Sequence, residues 1–186
     1  MGRKSLVSER TNQILDAFEQ CLILYGFDGA TLQRTADLAQ VNLGMIHHYI
    51  GRKNDLLKAM VERLIARTQQ EMAEFDQHTP QEQRLPLLLS AFFEEDADQN
   101  DKIIDALYAS GEDNVVVQNA LNAIQKLYTS IWAVEIGRIH PHLSLQRCTE
   151  IGLAVLGLAI SSELLHSDDA RHGLWRDAAE TLINNP

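Results

Sequence analysis

The chain has 186 residues, of which 45% are hydrophobic and 23% charged, and it carries a formal net charge of −10. That composition belongs to a globular protein able to build one or two small cores and excludes a disordered chain. The longest apolar run, IGLAVLGLAI at 151–160, is too short to span a bilayer, so no membrane partner is expected.

The N-terminal MGRKSLVSER is basic but lacks the apolar core of a secretory signal, which predicts a cytoplasmic protein. From Ser8, a good N-cap, apolar residues recur at Ile14, Phe18, Cys21, Leu22 and Tyr25, a helical stripe. Gly26 stands where a left-handed C-cap is wanted, with Phe27 placed to pack back, and Asp28-Gly29 marks a turn. Thr31 can cap a second helix over 32–39 with Leu32, Thr35, Ala36 and Ala39 inward, and Asn42 can cap a third over 43–50. Gly51 ends it, and Asn54 opens a long fourth helix with Leu57, Met60, Val61, Leu64, Ile65, Met72 and Phe75 at helical spacing. Thr79-Pro80 closes that helix and starts another carrying Leu85, Leu88, Leu89, Phe92 and Phe93.

The acidic stretch EEDADQND at 94–101 reads as a solvated loop, followed by a short helix with Ile103, Ile104, Leu107 and Tyr108. A long helix over 114–139 and two final helices over 145–166 and 169–184 complete the chain. The expected fold is all-α, about nine helices, with no repeat and no strand pattern. Cys21 and Cys148 sit far apart among apolar residues and read as core packers.

Residues 1–55 hold six basic side chains (Arg3, Lys4, Arg10, Arg34, Arg52, Lys53) and six acidic ones (Glu9, Asp16, Glu19, Asp28, Asp37, Asp55), so the whole −10 lies beyond them. The acidic total therefore does not exclude nucleic acid; it confines such a partner to the N-terminal part. Three short helices, the last two joined by a tight turn, are the layout of a helix-turn-helix DNA reader. A major groove ~12 Å wide admits one helix, which must be solvent-facing and anchored from behind. On helix 43–50, Ile46 and Ile50 form the anchor, while Leu43, Gly44, His47 and His48 face away. Tyr49, Arg52 and Lys53 follow where phosphates would pass. The start of helix 32–39 offers Thr31, Gln33, Arg34 and free backbone N–H groups to the opposite phosphates. Adjacent helical residues point about 100° apart, so His47 and His48 cannot easily grip one ion. No metal and no cofactor is expected. His140 and His142, flanking Pro141, read as capping or exposed groups.

Segment 8–57 resembles the N-terminal domain of the TetR family of bacterial transcriptional regulators. The shared features are YGF at 25–27, Ala30-Thr31 with Ala36 and Ala39 before Val41, and the block GMIHHYIGRKNDLL at 44–57. The resemblance implies a helix-turn-helix head (1–53) and a helical ligand-binding and dimerisation domain (54–186). It implies a homodimer on double-stranded operator DNA, released by a small-molecule inducer. The family's base-reading positions fall on Leu43, Gly44, His47 and His48, and its phosphate positions on Thr31, Gln33, Tyr49 and Lys53. The chain departs from the pattern where many members have Gly (here Gln40), a Ser or Thr cap (Asn42), Lys (Leu43), a small polar residue (Met45) and an aliphatic residue (Thr35).

For the inducer pocket, Phe92, Tyr108, Tyr128 and Trp132 are the candidates, with Glu135 as a further polar group, although each aromatic also sits at core spacing. Helix 145–166 is unusually small-sided at Gly152, Ala154, Gly157, Ala159, Ser161 and Ser162. With Leu174, Trp175, Ala178, Leu182 and Ile183 in the last helix, it supports burial against a second copy. No nucleophile elbow, phosphate loop or zinc-protease motif appears, so no enzyme is expected.

Overall fold

A computed structural model describes residues 2–93, 98–110, 114–164 and 169–186, with only the backbone of 2–6, 163–164 and 169–172. Among the described residues it holds nine helices and no strand: α1 (Gly2–Gly29), α2 (Leu32–Leu38), α3 (Leu43–Tyr49), α4 (Lys53–His78), α5 (Gln81–Phe93), α6 (Gln99–Tyr108), α7 (Val115–Ile139), α8 (Leu145–Leu164) and α9 (Asp169–Asn184). No helix among them is long and apolar enough to cross a membrane.

Three boundaries differ from the sequence reading. Residues 3–7 contain no helix breaker, so α1 runs through Ser8 instead of starting there. At its other end Gly26 (φ 65, ψ 176) kinks the chain, and one more helical turn continues to Gly29, where a simple turn was expected. The stretch read as a loop to residue 101 is already helical from Gln99. Asp98 accepts the N–H groups of Asn100 and Asp101, and the Asp101 carboxylate accepts the Asp98 N–H in return. Residues 94–97 of that stretch, residues 165 and 166 of the expected eighth helix, and the Arg3 and Lys4 side chains lie outside the described residues.

The chain divides into two compact units, Met1–Thr68 with Ala97–Ile124, and Gln69–Asp96 with Gln125–Pro186. In the first, α1 packs on α2, α3 and α6. Its core is the expected stripe of Ile14, Phe18, Cys21 and Leu22, closed by Ala36, Ile46, Leu56, Leu57, Met60, Leu64, Ile103 and Leu107. Burial pushes the Cys21 thiol above its ordinary pKa, as befits a packing residue. Glu19 of α1 is fully buried. Arg63 Nη2 of α4 lies 2.6 Å from its Oε1, off the hydrogen-bonding angle, and the Gln99 amide of α6 donates to Oε2 at 2.6 Å. Arg67 of α4 sits 4.0 Å from the same carboxylate and donates to Asn100 of α6. One carboxylate thus ties three helices together.

In the second unit α5, α8 and α9 pack on one another. The core joins Leu88, Leu89 and Phe93 of α5, Trp132 and Ile136 of α7, Cys148, Ile151 and Val155 of α8, and Ala179 and Ile183 of α9. α7 and α8 cross at Gly152, where a Cβ would lie 3.0 Å from the Thr129 carbonyl and 3.1 Å from Trp132 Cβ, so a side chain would push them apart. His140 Nε2 donates to the Ile183 carbonyl at 2.8 Å, a link between the ends of α7 and α9 that gives this histidine its place. Arg84 and Glu135 are both buried and paired at 3.1 Å, with Asp76 and Arg138 completing a neutral set of four charges.

Removing one member of a buried pair strands the other's charge, which costs ~3–5 kcal/mol, whereas exposed pairs are worth ~0–1 kcal/mol. Glu135→Ala should therefore lower Tm by on the order of 10 °C in a thermal melt. Arg147→Ala, which removes the half-exposed pair with Glu150 at 3.3 Å, should leave Tm nearly unchanged.

Candidate nucleic-acid interface

α2 and α3 are seven residues each, so their ends decide their placement. Thr31 is extended (φ −78, ψ 155) and its hydroxyl accepts the Arg34 N–H at 3.2 Å, capping α2. At the other end, the Val41 N–H reaches back to the Ala36 carbonyl (3.0 Å) and the Gln40 N–H to that of Asp37 (3.2 Å). This six-to-one, five-to-two pattern is a Schellman motif, whose C′ position needs a left-handed residue. That residue is Gln40, at φ 53, the one non-glycine residue with positive φ among those described. The family's habitual Gly at this position has a physical reason, and this chain holds the turn without it. Gln13 of α1 donates to the Ala39 carbonyl at 2.7 Å and so fixes the turn against α1.

Asn42 (φ −82, ψ 154) then caps α3 by accepting the Met45 N–H at 2.9 Å. Ile46 is fully buried and Ile50 half-buried, as the anchor reading requires, while Gly44, His47 and His48 are exposed and Leu43 is 37% exposed. Beyond its chain neighbours and its own helix backbone, a Gly44 Cβ would meet only the Asn42 side chain within 4 Å among the described residues, so this end of α3 is bare. The His47 ring places Nδ1 3.1 Å from the Gly51 carbonyl. In the neutral ring Nδ1 must then carry the proton, and Nε2 is left as an outward acceptor. The Tyr49 ring stands edge-on to His48 at 5.1 Å and is half-buried.

The flanking cations are braced from α1. The Arg34 guanidinium lies 4.6 Å over the Tyr25 ring and donates to the Gly29 carbonyl at 2.7 Å. Lys53 Nζ lies 4.2 Å over the Phe27 ring and donates to the Asp28 carbonyl at 3.2 Å. Burial lowers the Lys53 pKa, opposed by the Asp28 charge. Phe27 is in turn held by Ser110, two residues past α6, whose Oγ accepts its N–H at 3.1 Å. Gln33 donates to Asp37 at 2.8 Å along the exposed side of α2. All ten residues singled out for DNA contact, Arg52 among them, fall within residues 31–53. The supports Gln13, Tyr25, Phe27 and Ser110 were not singled out; for Tyr25 and Phe27 the YGF motif was the available signal.

Of the pocket candidates, Phe92 stacks edge-on to Tyr128 (5.6 Å) and Trp132 (5.1 Å) in the second unit. Tyr108 belongs to the first unit, 38% exposed on α6. The buried Trp132 indole N–H has no hydrogen-bond partner, while Glu135 is paired with Arg84 and Arg138.

The architecture is that of the TetR-family transcriptional regulators. Over 96% of this chain and 100% of the other, it matches E. coli NemR in its reduced form with a TM-score of 0.73 at 19% identity. A TetR-family regulator from Rhodococcus sp. gives 0.73 at 18% identity, covering 95% and 99%. Bacillus subtilis FadR in complex with stearoyl-CoA gives 0.67 at 17%, covering 94% and 98%. In sequence, no protein-family profile and no curated protein matches the chain.

A left-handed conformation costs a residue with a Cβ ~1–2 kcal/mol, partly offset by the greater freedom glycine has when unfolded. Gln40→Gly should therefore raise stability by about 0.5–1 kcal/mol, read as a rightward shift of the denaturant midpoint at constant slope.

Proposed function

We propose that the protein is a ligand-responsive DNA-binding transcriptional regulator, acting as a repressor that leaves its operator when a small-molecule inducer binds. The observation that carries the reading is α3 itself, anchored by the fully buried Ile46 and presenting Leu43, Gly44, His47 and His48 to solvent. Residues 1–53 act as the reading head and 54–186 as the ligand and dimerisation domain of a cytoplasmic homodimer. The likeness to regulators of this fold, one of them in complex with stearoyl-CoA, supports both parts.

In this reading α3 enters the major groove. His47 Nε2, an acceptor, takes a hydrogen bond from an exocyclic amino group of adenine or cytosine, and Leu43 contacts a thymine methyl. Thr31, Gln33, Arg34, Tyr49 and Lys53 hold the phosphates on either side. The two heads of the dimer must stand ~34–36 Å apart, or one turn more, to reach successive grooves. α4 is one continuous helix from Lys53 to His78 and carries the state of the ligand domain to the head. The inducer site lies around Phe92, Tyr128 and Trp132. A ligand preferring the wide-spaced state by ~1.4 kcal/mol lowers operator affinity tenfold.

The direct test is a mobility shift on the intergenic DNA beside the gene, at low and high salt. A retarded band that weakens steeply with salt is expected. No retention at any salt by a folded dimer, on that DNA or on selected random sequences, would remove the DNA-binding reading. Lys53→Ala should weaken binding to all sequences and flatten the salt dependence, whereas His47→Ala should cost ~1–3 kcal/mol mainly on the operator.

A further inference from the structure

The turn that leaves α3 fixes the direction of one carbonyl. Gly51 stands at φ 127, where a side chain would be strained, and a Cβ there would lie 2.5 Å from the Asp55 carboxylate. That carboxylate accepts the Arg52 N–H at 2.8 Å, and the Gly51 N–H reaches back to the Ile46 carbonyl at 3.0 Å. Held on both sides, the Gly51 carbonyl oxygen lies 3.1 Å from His47 Nδ1.

A carbonyl only accepts, so Nδ1 donates whether the ring is neutral or charged. The bond therefore survives protonation, and the ring keeps its direction. What changes is Nε2, an acceptor in the neutral ring and a donor in the charged one. His47 is exposed, so a proton reaches Nε2 directly from solvent. The charged groups on the elements packed against α3 are engaged elsewhere. On α2, Asp37 accepts from Gln33 and Arg34 rests on Tyr25. On α1, Arg10 donates to Gln13, Asp16 and Glu19 pair with Arg63, Asp28 acts on Lys53, and Glu9 is exposed. Past the turn, Asp55 holds the Arg52 N–H, Lys53 lies over Phe27, and the Arg52 side chain is exposed. His48 meets the Tyr49 ring edge-on.

We propose, resting on the DNA-binding reading above, that His47 selects its base by its own protonation. Neutral, its Nε2 accepts from the amino group of adenine or cytosine; protonated, it donates to the carbonyl oxygen of guanine or thymine at the same place in the groove. An A·T to G·C change exchanges these partners, amino for carbonyl on the purine and carbonyl for amino on the pyrimidine. Histidine is the side chain whose charge ordinarily changes between about pH 5 and pH 8, so the operator preferred at one end of that range is not the one preferred at the other. The added charge also attracts every phosphate, which raises affinity for all sequences alike. The signature is therefore the ratio of affinities for two sites, not either affinity alone.

The test is a set of anisotropy titrations of the full-length protein on an operator selected from random DNA at about pH 8, with each half-site base pair changed in turn between A·T and G·C. At one position per half-site, the preference for the amino-bearing base should fall about tenfold or more between about pH 8 and about pH 5.5. Glutamine carries both a donor and an acceptor and does not titrate, so His47→Gln should make that ratio independent of pH, whereas His48→Gln should keep the change. Circular dichroism at both pH values establishes that each protein is folded. A base preference that does not move with pH, in protein that binds DNA in a salt-sensitive way, overturns the inference and leaves the DNA-binding reading standing. A change that persists in His47→Gln overturns it as well. If the folded protein retains no DNA at either pH, both fall together.

Discussion

A helix of seven residues does not persist alone in water, because it closes too few hydrogen bonds to offset the cost of nucleation. α3 is such a helix, and the first unit is organised around keeping it in place. Ile46 buries its inner side, Asn42 caps its start, and the Schellman turn before it sets its direction. That turn is made with Gln40 in a left-handed conformation, and its strain is held by the Gln13 bond to the Ala39 carbonyl. The outward side of α3 is thereby left free of structural duty, which is what a contact surface requires.

The same economy appears in the cations beside it. Arg34 and Lys53 rest on the faces of Tyr25 and Phe27 and on carbonyls at the end of α1. A long side chain fixed in this way loses less freedom when it meets a phosphate, so bracing favours affinity. The bracing also joins distant parts of the chain, because Phe27 is held by Ser110, two residues past α6.

Each unit also contains one fully buried carboxylate that gathers helices: Glu19 joins α1, α4 and α6, and Glu135 joins α7 to Arg84 of α5. Ion pairs of this kind contribute little net stability, since desolvation offsets attraction. What they do specify is register, as a charge tolerates no alternative partner in an apolar core. In the second unit α7 carries two unlike surfaces, the aromatic cluster with Phe92 on one side and a surface groove shared with α8 on the other. Gly152 lets the helices touch between them.

The all-α class, the order of the helices and the outward face of α3 were legible in the sequence, although the start of α1 is read there six residues late. These follow from apolar spacing and from caps such as Thr31 and Asn42, whose physics is local to a few residues. Gln40 is legible there too, as one of five departures from the family pattern. The tertiary contacts added that Glu135 pairs with Arg84 and Arg138 and that Lys53 rests on Phe27. Helical periodicity assigns a residue to a face, but not the neighbour that meets it; that depends on which distant segment is brought within hydrogen-bonding distance.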